Sequence, residues 1–148
     1  MNNKSILEAS CVLIFNSKGQ VLLVSRPNKS NEYGLPGGKV DPNENSFQAA
    51  KRELIEEVGI TEDMIKSWKE IYCEWCYGKD GKDYWSHTYY AILKDPSIDI
   101  TKLSQSLEDS ERDVVALWGS ADMLLQGPFA EYNKEMIQAY NKLPRTCK

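Results

Sequence analysis

The chain has one histidine, four cysteines, no excess of positive charge and no long apolar run, and each shortage closes off a class of function. No stretch near the N-terminus is long and apolar enough for a signal peptide or a membrane span, so a cytoplasmic location without membrane association is expected. The formal net charge of −4 argues against broad binding of duplex nucleic acid through a basic surface. An anionic ligand would need a cation as intermediary. Without a secretory signal, the cysteines read as free thiols in a reducing compartment. Cys73-Glu-Trp-Cys76 has C-x-x-C spacing. Yet Cys11, Cys147 and His87 provide no second ligand pair for zinc, and a strand-like run is not the helix start that activates a redox pair. There is no repeat, linker or low-complexity tract. At 148 residues, 41% hydrophobic and 27% charged, the chain reads as a single domain, 1–148, able to bury a core.

Residues 9–15 (ASCVLIF) and 20–26 (QVLLVSR) are short apolar runs joined by Asn16-Ser-Lys-Gly19, which predicts a hairpin. A second hairpin is expected from residues 68–77 and 84–93 around the turn at 78–82, and another strand at 114–118. Phe129, Tyr132, Met136, Ile137, Tyr140 and Leu143 recur at helical spacing, predicting a helix that ends near Pro144.

The most informative stretch is Gly38-Lys-Val-Asp-Pro-Asn-Glu44, followed after seven residues by Arg52-Glu53-Leu54-Ile55-Glu56-Glu57-Val58-Gly59-Ile60. On a helix, Glu53, Glu56 and Glu57 stand at i, i+3 and i+4 and share one face. Phe47, Ala50, Leu54 and Val58 form an apolar stripe beside it, so the acidic face flanks a packed one and can line a groove. Carboxylates at this spacing repel, and a hard cation such as Mg²⁺ or Mn²⁺ would offset the repulsion while bridging to phosphates. Arg52 is placed to pair with Glu56 and orient it. Leu35-Pro36-Gly37-Gly38 lets the chain turn tightly, so that a Gly38 carbonyl can complete a metal shell. Asn45 or Ser46 can cap the helix, and Gly59 can end it, bounding it at about 45–58. Glu44 precedes the first turn and suits an anchor for Arg52 better than a ligand.

The pattern Gly-x5-Glu-x7-Arg-Glu-Leu-x-Glu-Glu-x-Gly-Ile, complete at residues 38–60, resembles the box of the MutT-like Nudix hydrolase family. The resemblance implies an α/β fold, an α/β/α sandwich with a mixed sheet. It also implies a metal-dependent hydrolase that cleaves a diphosphate linked to another moiety, usually a nucleoside derivative. By the same resemblance Glu53, Glu56 and Glu57, with the Gly38 carbonyl, are the expected metal ligands. The general base is Glu53 or Glu56 within the box, or an acid from the later loop holding Glu108, Asp109, Glu111 and Asp113, with Glu111 chosen first. Arg26 and Lys39 are the expected phosphate contacts. Tyr33, where the family commonly has tryptophan, would shape the pocket mouth. Tyr77, Tyr84, Trp85 and Phe129 are stacking candidates, and His87 reads as a residue of a sheet face.

Two other readings stand beside a small-molecule nucleotide hydrolase: a nucleotide-binding module that has lost catalysis, and a prenyl-diphosphate isomerase. The intact acid set speaks against the first, and the lack of a cysteine adjoining the box speaks against the second. Sugar nucleotides, dinucleotides, oxidised triphosphates and capped RNA all share the scissile group. Oligomeric state is left open, a homodimer included.

Overall fold

The computed structural model describes residues 7–25, 32–77, 83–104, 115–127 and 130–148, apart from the side chains of Cys76, Tyr77 and Ser104. Strand β1 (Glu8–Leu13) is engaged on both edges: it runs antiparallel to β3 (Gly37–Lys39) and parallel to β5 (Asp83–Leu93). Strand β4 (Ile65–Tyr77) extends this mixed sheet in the order β3-β1-β5-β4. With both edges of β1 taken, β2 (Val21–Ser25) pairs antiparallel with β6 (Val115–Gly119) in a second, two-stranded sheet. The first expected hairpin is therefore corrected. Its two strands touch only at the bridge Phe15–Val21 and then diverge. The second hairpin forms as β4 and β5, with β4 beginning three residues earlier than expected.

Helix α1 (Ser46–Val58) lies on one side of the sheets and α3 (Ala130–Asn141) on the other, with the short α2 (Ile100–Ser104) between β5 and β6 in the chain. Alternation along the strands divides the core accordingly. Val12, Ile14, Leu22, Val24, Tyr89 and Ala91 join Ala50, Leu54 and Val58 of α1. Leu13, Leu23 and Tyr90 join Met136 and Leu124, with Tyr132 and Ile137 of α3 packed against them. All five residues of β2 are buried because the strand feeds both clusters. Among the described residues no helix is long and apolar enough to cross a membrane.

Candidate metal and phosphate site

The apolar stripe of α1 seats the helix, with Ala50, Leu54 and Val58 essentially inaccessible to solvent and Ala49 buried beside them. Its ends are set by local chemistry. Asn45 accepts a hydrogen bond from the Gln48 backbone N–H while the Gln48 side chain accepts from the Asn45 N–H, a reciprocal cap. Gly59 closes the other end at φ +88°, a left-handed conformation that glycine adopts without strain.

Seated in this way, α1 turns its acids toward β3. Glu53 packs directly on Gly38: a Cβ added there would lie 2.5 Å from Glu53 Oε1. The bare glycine leaves room for a carboxylate against main chain. Glu57 Oε1 accepts a 2.7 Å hydrogen bond from the Gly37 N–H, tying the last turns of the helix to the same strand. Arg52 organises the rest. Its Nη2 donates to Glu44 Oε1 at 2.6 Å and to the Lys39 carbonyl at 3.0 Å, and its Nη1 donates to Glu53 Oε1 at 2.9 Å and Glu56 Oε2 at 3.2 Å. The expected Arg52–Glu56 and Arg52–Glu44 contacts are thus both present.

Two of the carboxylates that Arg52 contacts respond in opposite directions. Hydrogen bonding from Arg52 holds Glu44 below the ordinary carboxylate range. Burial pushes Glu53 above it, although Arg52 pulls the other way. Glu44 is a fixed anion that anchors the arginine. Glu53 is an anion whose burial Arg52 only partly compensates. Glu56, with 43% of its side chain exposed, faces water.

The structure brings Gly38, Arg52, Glu53, Glu56 and Glu57 together. Lys39 lies alongside, its Nζ 5.9 Å from the Tyr84 ring centroid. Tyr33 packs in the second cluster, its carbonyl 3.5 Å from Asn133 Nδ2. Arg26, Glu108, Asp109, Glu111, Asp113 and Phe129 lie outside the described residues, as does the Tyr77 side chain. Sequence reasoning offered Ser46 only as a cap and missed the contact of its Oγ, 2.6 Å from the Tyr89 hydroxyl, and the main-chain contributions of Gly37 and Lys39. The Gly-Gly pair carried a signal for the latter. Cys11 pairs with Gly37 in the sheet, but its Sγ points to the α3 side, 3.2 Å from Thr88 Oγ1 and 3.4 Å from the Tyr132 hydroxyl.

Comparison with known proteins bears on the family and the fold. A 61-residue stretch is 41% identical to the 8-oxo-dGTP diphosphatase of Haemophilus influenzae, covering 39% of this chain and 45% of that protein. A 55-residue stretch is 44% identical to the RNA pyrophosphohydrolase of Pasteurella multocida, covering 37% of this chain and 27% of that protein. The match thus spans less than half the length of either relative. Among solved structures, a NUDIX hydrolase from Nitrosomonas europaea superposes with a TM-score of 0.66 at 19% identity, covering 97% of this chain and 96% of that one, a likeness of fold. The NUDIX domain family matches residues 5–140, nearly the whole of both sheets and all three helices, and the chain belongs to that family.

Proposed function

We propose that the chain is a pyrophosphohydrolase that cleaves a diphosphate linkage in a nucleoside triphosphate or nucleoside diphosphate derivative. The observation that carries this reading is the Glu53 carboxylate packed on Gly38 with Glu56 and Glu57 on the same helix face. The donor set is all hard oxygen, and the missing Cβ at Gly38 keeps its main chain open, so the residues fit a divalent cation of the Mg²⁺ or Mn²⁺ type. Glu53, Glu56 and Glu57, with the Gly38 carbonyl, would hold it. When bound, such a cation neutralises phosphate charge and acidifies water.

The protein's own groups supply orientation and proton transfer. Arg52 fixes Glu53 and Glu56 from one guanidinium, and Glu44 fixes Arg52. A water adds at phosphorus, the bridging oxygen departs with the other phosphate, and the water's proton passes to a carboxylate. Glu111 of the later loop is the proposed acceptor, with Glu53 and Glu56 the candidates within the box. Lys39 and Arg26 are the proposed phosphate contacts, and Tyr33 the proposed residue at the pocket mouth. The two relatives' names, one a nucleotide diphosphatase and the other an RNA pyrophosphohydrolase, support a 5′-polyphosphate as the shared feature of the substrate.

Phosphate and pyrophosphate release, measured with Mg²⁺ against nucleoside triphosphates, sugar nucleotides, dinucleotides and 5′-triphosphorylated RNA, tests the proposal. Glu57→Gln should lower kcat at least about 100-fold, roughly 2.7 kcal/mol of barrier, with folding checked by circular dichroism. An unchanged rate removes Glu57 from the ligand set. Nucleotide binding without turnover in the parent protein would favour the non-catalytic module.

A further inference from the structure

Three side chains outside the box meet on the α1 side of the four-stranded sheet. Glu70, Cys73 and His87 each present one ligand atom, and these atoms all lie within 4.8 Å of one another. A bulge causes the meeting. Residues three apart in a regular strand point to opposite faces. In β4, however, Glu70 stands opposite Tyr89 and Tyr72 opposite Thr88, leaving Ile71 as an extra residue. Ile71 and Tyr72 both pack into the second cluster, and Cys73 returns to the face of Glu70, directly opposite His87.

His87 is the group in need of a partner. Its side chain is 14% exposed, and Nδ1 lies 3.5 Å from Glu70 Oε1. Both ring nitrogens are buried, and neither has a hydrogen-bond partner among the described residues. Leaving a buried polar atom without a partner is costly, and a bound cation would give the imidazole one. The surroundings also favour a cation. Glu70, Glu74 and Glu8 put negative charge near Cys73. Such anions attract a cation.

We propose that Glu70, Cys73 and His87 form a second metal site, separate from the box, that takes Zn²⁺ through three protein ligands and leaves the fourth position open. The mixed oxygen, sulfur and nitrogen set suits Zn²⁺ and is a poor match for Mg²⁺. Tetrahedral zinc holds its ligand atoms about 3.5 Å apart. Closing from the present separation takes movement of about an ångström, and Glu70 and Cys73 are exposed side chains free to make it. On binding, the Cys73 S–H bond breaks, the proton goes to solvent and an S–Zn bond forms. The Tyr89 hydroxyl, 2.6 Å from Ser46 Oγ, stands on the residue directly opposite Glu70. Gly38, Ser10, His87 and Cys73 are register partners in successive strands. At about 4.8 Å per strand the imidazole lies roughly 10 Å from the box glycine, on the same side of the sheet.

Cobalt reports on such a site through its thiolate charge-transfer absorption, so the test is a Co²⁺ titration of the whole protein kept reduced with a phosphine. One equivalent should produce the band, excess Mg²⁺ should leave it unchanged, and Zn²⁺ should abolish it. Cys73→Ser and His87→Gln, each confirmed as folded by circular dichroism, should both lose it. Cys73 is exposed, so that variant tests the site without disturbing the core. Absence of the band in the parent protein, or its survival in either variant, overturns the proposal. Neither result bears on catalysis at the box, which is read by phosphate release.

Discussion

Glu53 is held against a position that carries no side chain, and this separates what the residue does for binding from what it does for folding. A methyl group at Gly38 would meet the end of the Glu53 side chain, not rigid backbone. The carboxylate can swing away at little cost to stability, but it then leaves the place where it faces the glycine main chain. Gly38→Ala should therefore weaken Mg²⁺ or Mn²⁺ binding at least about tenfold, some 1.4 kcal/mol, while the thermal midpoint moves by no more than a few degrees. Isothermal titration paired with calorimetric melting measures both quantities. Equal affinity in the two proteins would remove Glu53 from the ligand set. Gly37 presents a different case: a Cβ there would run into the backbone of β1 at Ser10 and Cys11, so its bareness serves the sheet.

Among the elements, α1 was the most legible in the sequence because both of its ends are written in local chemistry. The Asn45–Gln48 cap and the left-handed Gly59 are signals confined to four or five residues, and both recur in the structure where expected. Asn45→Ala should cost about 1 kcal/mol, read from urea denaturation midpoints at constant slope. A change below a few tenths would mean that the helix is set by packing alone. The first hairpin was misread for the opposite reason. Residues 9–15 and 20–26 carry good strand signals and a good turn, but which strand pairs with which depends on what else competes for an edge. Here β3 and β5 win both edges of β1. The bulge in β4 was equally invisible, because Ile71 is unremarkable until it stands opposite a register shift. For the same reason Glu70 did not stand out beside Cys73 and His87.

The whole molecule rests on two apolar clusters that share β2. Leu22 belongs to the α1 cluster and Leu23 to the α3 cluster, and both are fully buried. Leu22→Ala and Leu23→Ala should each destabilise by about 2–5 kcal/mol, measured by equilibrium unfolding in urea. A loss below about 1 kcal/mol at either position would show that its side of the strand is not core. The box acids could be read from sequence because they sit within one helix, whereas assigning side chains to one cluster or the other required the sheet topology. The parallel ladder between β1 and β5 joins partners 77 residues apart, Cys11 and Thr88 among them, and everything between them must be arranged before it can close. Long-range pairings of this kind are slow steps in folding. The glycine loop and the β4–β5 ribbon are therefore local structures that acquire a common surface only when the N-terminal strand slots between them. The proposed Glu70, Cys73 and His87 site lies wholly on that ribbon and can form before the strand docks, whereas β3, which carries Gly38, pairs only with β1, so the proposed box site is completed when the strand docks.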